Sequence, residues 1–331
     1  MTSSAPRSKS AHIEVSHLCN EKCLHCFLPH DADPLPFSSL PSVAHFDTIL
    51  EKLVSLEFVL LCLTGYEPLL NPYLPELIAK ARKKHFFVRL KTNGILLDRP
   101  LLKELRRAGM GVIDFSVYSA DPAEHDRITQ IPGSFERTIA AMRMCKEEGI
   151  PFRIGVVIFS PLPDIEKLVA LIKDFDVPSV IDSLVRDKFD RRGSIAPLIL
   201  SHEEMKRHLT SLITTGYLTI EKLAPRELPL CKIGEGLYID YQARYRFCPV
   251  SQRYLGSMLA PEAEAVIVSH AVDIRAKILT ERACNRCDMA SYCRPCYELA
   301  WEETGDLCGC SPTRKRYSLA AKEVYEELHG E

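Results

Sequence analysis

The sequence predicts an α/β protein, a partial (βα)6 TIM-like barrel followed by a small cysteine-rich C-terminal domain. From residue 12 to about 184, short apolar runs alternate with stretches whose apolar residues recur every three or four positions, as repeated βα units and a parallel sheet require. Six such units fall short of the eight that close a full barrel, so a lateral opening is expected. The third observation is the cysteine distribution. Of thirteen cysteines, three stand at Cys19, Cys23 and Cys26, and eight lie between Cys231 and Cys310.

A first strand over residues 12–16 runs directly into the cysteine loop, which places the loop at the carboxyl end of a strand, where parallel α/β folds build their sites. Phe46, Ile49, Leu50, Leu53 and Leu56 form the inward face of the next helix. The second strand, 58–63, ends in Thr64-Gly65-Tyr66-Glu67-Pro68, a turn in which Gly65 permits an unusual backbone angle. Cys62 on this strand reads as core. A third strand over 86–91 leaves through Thr92-Asn93-Gly94 into a helix over 100–108 closed by Gly109. The fourth strand, 111–118, carries Ser116 near its end, and Asp121 suits the N-cap of a helix whose His125 is expected in solvent. A helix over 134–148 stops at Gly149 with Cys145 in its packing face, and strand 152–159, helix 165–175 and strand 179–184 complete the units. Residues 186–193 form a charged link in which an arginine offers paired donors for a carboxylate.

Ser201-His202-Glu203-Glu204 is a capping-box signature opening a bridging helix to about residue 215. Residues 236–247 alternate as a hairpin turning near Gln242-Ala243, and the amphipathic stretch 314–328 is a terminal helix, a lid or a brace. The expected divisions are a loose tail over 1–11, the barrel over 12–200, the bridge over 201–230, the cysteine-rich unit over 231–312 and the last helix over 313–331.

Composition narrows the function classes. The chain of 331 residues is 46% hydrophobic with a formal net charge of -2, and its basic clusters Lys83-Lys84 and Arg314-Lys315-Arg316 are short, so no nucleic-acid partner is expected. The longest apolar run cannot cross a membrane, and the polar start lacks the apolar core of a signal peptide. A cytoplasmic setting keeps thiols reduced, so the cysteines point to metal rather than disulfides.

Cys19-x3-Cys23-x2-Cys26 brings three thiols to one short loop. A cubane normally takes four thiolates, so three protein ligands leave one iron open for chemistry. Zinc and plain packing are the bland accounts of such pairs. The loop, with His25 just before its third cysteine, resembles the signature of the radical S-adenosylmethionine (radical SAM) superfamily. The resemblance implies a 4Fe-4S cluster on the three thiols, whose open iron takes the amino and carboxylate groups of S-adenosylmethionine. Cleavage of the sulfonium to methionine and a 5′-deoxyadenosyl radical would follow. Gly65-Tyr66-Glu67-Pro68 is similar to that superfamily's Gly-Gly-Glu-Pro turn, which makes Gly65 and Glu67 candidates for the cofactor amino group. Tyr66 replaces the second glycine and either turns away or narrows the pocket. By the same resemblance Asn93 and Ser116 join His25 as cofactor-side candidates.

Cys231, Cys248, Cys284-x2-Cys287-x5-Cys293-x2-Cys296 and Cys308-x-Cys310 supply enough thiols for two four-ligand centres. With the N-terminal trio, their order resembles the SPASM extension of radical SAM enzymes, which carries two auxiliary 4Fe-4S clusters. Ala243 stands where that extension places a glycine, and Cys293 and Cys296 are one residue closer than usual. The resemblance implies Cys231, Cys248 and Cys296 on one cluster and Cys284, Cys287, Cys293 and Cys310 on the other. Cys308 either completes the first or exchanges roles with Cys310.

The expected function is hydrogen abstraction from a peptide substrate during ribosomal peptide maturation, ending in a cross-link, a thioether, epimerisation or oxidation. A small alcohol or sugar dehydrogenase, a sulfatase-type maturase and a zinc-stabilised interaction module are the alternatives. The expected partners are the peptide or small-molecule substrate, a reducing donor such as flavodoxin or ferredoxin, and a separate leader-peptide-binding protein, since the barrel begins almost at once. Tyr66, His125 and Cys145 are hydrogen or proton donors by residue type, each with an ordinary structural account, so no catalytic residue is assigned.

Overall fold

The computed structural model describes residues 9–29, 35–185, 194–220, 231, 233–249, 251–282, 284 and 287–330. The charged segment 186–193, whose arginines were candidates for the cofactor carboxylate, lies outside the described residues.

Six strands, β1 (Lys9–Glu14), β2 (Phe58–Thr64), β3 (Phe87–Thr92), β4 (Val112–Ser116), β5 (Phe152–Val157) and β6 (Ser179–Asp182), pair in sequence order, every pair parallel. The helices between them are α1 (Pro41–Ala44), α2 (Phe46–Ser55), α3 (Leu74–Lys83), α4 (Arg99–Ala108), α5 (Pro122–Thr129), α6 (Ser134–Glu147) and α7 (Ile165–Phe175). Local chemistry sets their ends. Asp98, Asp121 and Asp164 cap α4, α5 and α7 by accepting a backbone N–H three residues on, and Gly109 closes α4 at φ 98°.

Alternation along the strands sorts two faces. Ala11, Ile13, Leu61, Leu63, Val88, Leu90, Ile113 and Ile154 are fully buried against helix residues such as Ile49, Leu53, Leu105 and Leu168. The positions between them, His12, Cys62, Arg89, Lys91, Asp114 and Arg153, face inward and are mostly polar. A closed barrel fills its interior with branched apolar side chains. This one keeps a lumen.

The sheet does not stop at β1. Residues of the predicted hairpin form β7 (Gly236–Ile239) and β8 (Arg244–Arg246), and β7 pairs in parallel with β1, with Ser10 opposite Gly236 and Ile13 opposite Ile239. With β9 (Gly256–Ser257) the order is β6-β5-β4-β3-β2-β1-β7-β8-β9. The turn holds Ala243 at φ 60°, so the left-handed backbone is kept where the related extension has glycine. The β1–β7 seam buries a charge. Arg246, with no solvent exposure, lies over the Tyr238 ring at 4.4 Å and has Nη2 3.9 Å from Glu14 Oε1, to which Tyr238 Oη donates at 2.8 Å.

Helix α8 (His202–Thr214) starts with the full capping box of Ser201 and Glu204. The terminal helix α11 (Pro312–His329) braces it through His202 Nε2 to Glu323 Oε2 at 2.8 Å and Lys206 Nζ to Glu327 Oε1 at 2.6 Å. Between them lie α9 (Ala263–Glu281), which the sequence reading did not find, and α10 (Tyr297–Thr304). No helix among the described residues is long and apolar enough to cross a membrane.

Candidate active site

Three turns converge on the cysteine loop. Gly65 sits at φ 90°, and a Cβ there would lie 2.5 Å from Glu14 Cβ, so only glycine lets the turn after β2 approach β1 this closely. Glu67 N then donates to Leu18 O at 2.9 Å. The turn after β3 follows: Asn93 Nδ2 donates to Asn20 Oδ1 at 2.7 Å, inside the loop. From the other side, Lys22 N and Leu24 N donate to the carbonyls of Thr129 and Ile128 at the end of α5, both at 3.0 Å. The loop is held from three directions before any metal arrives.

Glu67 is fully buried and outside the cavity lining. Its carboxylate accepts from Thr92 Oγ1 at 2.7 Å, Asn93 N at 2.9 Å and Leu69 N at 2.8 Å, and burial lifts its pKa to about 7 against those three donors. The structure thus gives it the work of fixing the two turns to each other. Tyr66, at φ 50°, sends its ring along the cavity wall, where Oη donates to Pro29 O at 2.8 Å. It narrows the pocket and does not turn away.

Cys19, Cys23 and Cys26 line one cavity of about 480 Å³ together with Gly65, Asn93 and Ser116. His25 joins them, edge-on to Tyr118 at 4.5 Å and against Phe159 at 4.9 Å, and burial lowers it to about 4, so the ring is neutral. Burial raises Cys19 to about 12 and Cys23 well above its ordinary value, and neighbouring thiols raise both further. These thiols share one space. Among the described residues, no three His, Cys, Asp or Glu side chains are gathered closely enough to hold a single metal ion. A cubane spreads its thiolates over separate irons, so three thiols around a space fit a cluster better than one tetrahedral ion.

Two other residues differ from expectation. His125, read as solvated, is 1% exposed: its Nδ1 accepts from Tyr118 N at 3.4 Å, its ring meets Phe135 at 5.5 Å, and burial lowers it to about 4. It does not line the cavity, which removes it as a substrate-side acid. Cys62 is buried as expected, yet its side chain is part of the lumen wall. Cys145 is fully buried in the core.

The C-terminal thiols fall into two neighbourhoods. Burial raises Cys284 to about 11, with Cys293, Cys287 and Cys310 adding to the effect, and Cys310 feels Cys287 and Cys293 in turn. Cys231 instead feels Cys296. Cys308 faces neither group: it is buried, and its Sγ donates to Lys277 O at 3.7 Å. Pro249, which follows Cys248, lines the main cavity, so the lumen extends from the N-terminal thiols toward this region.

Fold and thiol arrangement together fit a radical SAM protein, and sequence comparison agrees. Residues 13–174 match the Radical SAM superfamily. The PqqA peptide cyclase of Gluconobacter oxydans (strain 621H) is 31% identical over 145 residues, 44% of this chain and 40% of that one. The Fe-coproporphyrin III synthase of Methanosarcina barkeri (strain Fusaro / DSM 804) is 27% identical over 177 residues, 54% of this chain and 41% of that one. The chain thus matches well under half the length of these curated relatives. The solved structure of native anSMEcpe with bound AdoMet and Cp18Cys peptide aligns over 98% of both chains with a TM-score of 0.71 at 16% identity. Streptococcus suis SuiB bound to S-adenosylmethionine aligns over 93% of this chain and 77% of that one with a TM-score of 0.67 at 14% identity. At these identities the likeness is one of fold, and it runs through the cysteine-rich region as well as the barrel.

Proposed function

We propose that this protein is a peptide-modifying radical SAM enzyme. Its Cys19, Cys23 and Cys26 would hold a 4Fe-4S cluster, and S-adenosylmethionine would lie across Gly65, Asn93 and Ser116. The observation that carries the reading is the convergence of two strand-end turns and the end of α5 on one thiol loop above a cavity of about 480 Å³. When bound, the cluster supplies the electron that splits S-adenosylmethionine into methionine and a 5′-deoxyadenosyl radical able to take hydrogen from substrate.

The chain's own residues prepare the place. Asn93 and Glu67 lock the turns, so the reacting groups meet a preset geometry. Tyr66, His25 and Tyr118 wall the thiol side with rings, His25 backed by Phe159, which would keep water from the radical carbon. A peptide substrate is supported by the open edge of the sheet and by a relative named for a peptide, although another is named for a porphyrin. The bond made would be a cross-link, a thioether, an epimerised centre or an oxidised side chain.

For the C-terminal thiols, the two neighbourhoods favour Cys284, Cys287, Cys293 and Cys310 as one auxiliary ligand set and Cys231 with Cys296 in the other, which Cys248 would join by the resemblance, with Cys308 a packing residue. The test is 5′-deoxyadenosine formation by the anaerobically reconstituted, reduced protein. The parent should form it and the variant Cys19→Ala/Cys23→Ala/Cys26→Ala should not. A parent with loaded, reducible clusters that forms none, even after Tyr66→Gly, would end the radical reading.

A further inference from the structure

The lumen beneath the thiol loop carries charge that the chemistry above does not use. Inward positions on β3, β4 and β5 present Arg89, Lys91, Asp114 and Arg153 to the cavity. Register sets Lys91 beside Asp114 and Asp114 beside Arg153. Lys91, Asp114 and Arg153 lie two residues, about 6.6 Å of strand rise, below Asn93, Ser116 and Gly155, and Arg89 lies two residues lower still. Gly155 bears no side chain, so β5 leaves the way from the loop down to Arg153 open.

Asp114 is the carboxylate in this layer, and it is shared. Arg89 Nη2 hydrogen-bonds its Oδ2, and Arg153 Nε lies 3.9 Å from its Oδ1. Lys91 is exposed to the lumen and has no hydrogen-bond or ion-pair partner among the described residues, and the buried Nε of Arg89 finds no acceptor. His12 completes the wall from β1 without adding charge, because burial first, and Lys91 and Arg89 next, lower it to about 4. Glu21 belongs to the thiol loop, and Asp182 accepts from Leu184 N at the end of β6. In the lower lumen three cations therefore surround one carboxylate, in a partly desolvated space where like charges repel strongly. The cavity's other acids lie toward the loop end, Glu21 on the loop and Asp182 opposite Val157, four residues above Arg153.

We propose that Lys91, with Arg153 and Arg89, binds a carboxylate of the substrate, so that the peptide taken into the lumen bears an Asp or Glu side chain at or beside the residue that is modified. This rests on the peptide reading above and gives that site its specificity. A guanidinium pair beside an ammonium suits a planar carboxylate, and the excess of cations disfavours the amide of the same shape. A second source of a carboxylate is S-adenosylmethionine itself. The resemblance puts that carboxylate at the open iron beside the loop, one layer above these cations.

Calorimetric titration of the anaerobically reconstituted protein, saturated with S-adenosylmethionine, separates the cases. The probes are N-acetyl-glutamate amide and its neutral isostere N-acetyl-glutamine amide. The parent should prefer the acid by about tenfold or more, the discrimination one charge-assisted hydrogen bond supplies. Lys91→Gln should bring the two affinities together, and Lys91→Arg should restore the preference. Lys91 gives up no internal partner in either variant, so folding is not at stake. Equal affinities in the parent, or no binding of the acid up to about 10 mM, would overturn the proposal. So would a Lys91→Gln variant whose affinity for S-adenosylmethionine falls as far as its affinity for the acid, because the cations would then serve the cofactor. Formation of 5′-deoxyadenosine by the parent reads the radical function separately, so either idea can fail alone.

Discussion

Two charged clusters face the inside of the same sheet, and they are built to opposite rules. At the seam, one guanidinium, Arg246, meets one carboxylate, Glu14, with Tyr238 donating to the acid and its ring under the base, all sealed from water. In the lumen, Arg89 and Arg153 share Asp114, Lys91 stands beside them unpaired among the described residues, and all open onto a cavity. The residue types are nearly the same. What separates an internal weld from a receptor is the balance of charge and the access of solvent.

The sharpest way to break the comparison is to remove one partner from each cluster. Arg246→Met strands Glu14 in a dry seam and should cost about 3–5 kcal/mol, seen as a deep fall in the thermal midpoint. The triple change Glu14→Met/Tyr238→Phe/Arg246→Met, which removes the polar groups together, should be markedly milder than the single one. If the single change were the milder, the seam would not be a balanced unit.

The seam should also show in the pH dependence of stability. Burial raises both Glu14 and Glu67 to about 7. Each holds its proton more tightly folded than unfolded, so its contribution is whole below the ordinary carboxylate range and is lost as pH rises through about 7. Relative to Glu14→Gln, the parent should lose stability between pH 5 and 8, by on the order of 2 kcal/mol; His12, His25 and His125, lowered to about 4, act in the opposite direction in both proteins and cancel in the comparison. A parent that gains on the variant over this interval would reverse the sign assigned here.

Gly65→Ala tests the contact that sets the seam against the loop. The added methyl would meet Glu14 Cβ at 2.5 Å on a backbone at φ 90°, so a loss of about 2 kcal/mol and weaker loading of the N-terminal cluster should appear together. The smallest effect belongs to the lumen. Asp114→Asn should cost only about 1 kcal/mol, because Arg89 and Arg153 keep 25% and 32% of their side chains in solvent. In denaturant unfolding, a loss at Asp114 as large as that at Arg246 would erase the distinction between the clusters.

The barrel was largely legible because its outer face is apolar at every second position, so alternation and helical period speak for each unit. The turns were legible because they need particular backbones: Gly65, Gly94 and Gly109 stand at positive φ. Three features had no local signal. His125 sits in a polar stretch, Asp121-Pro122-Ala123-Glu124-His125-Asp126, and is buried by Tyr118 and Phe135 arriving from elsewhere. Helix α9 leaves Val268, Val272 and Leu279 exposed, so its apolar residues do not mark one face. The partner of β7 is set by tertiary structure, since a parallel pair needs no turn to announce it. In the lumen, Arg89 and Lys91 had no signal of their own: that their face encloses a cavity emerges only when six strands curve around it.

The pairing of β7 with β1 also orders events in time. During synthesis β1 leaves the ribosome well before its partner, and one of its hydrogen-bonding edges stays bare until Tyr238, 224 residues after Glu14, has followed. An open strand edge is a place for wrong partners, so the nascent chain carries this exposure while all the strands between are made. The same delay means that a product truncated before the hairpin has neither the welded seam nor the finished wall of the lumen. The chamber is therefore complete only once the hairpin has joined β1.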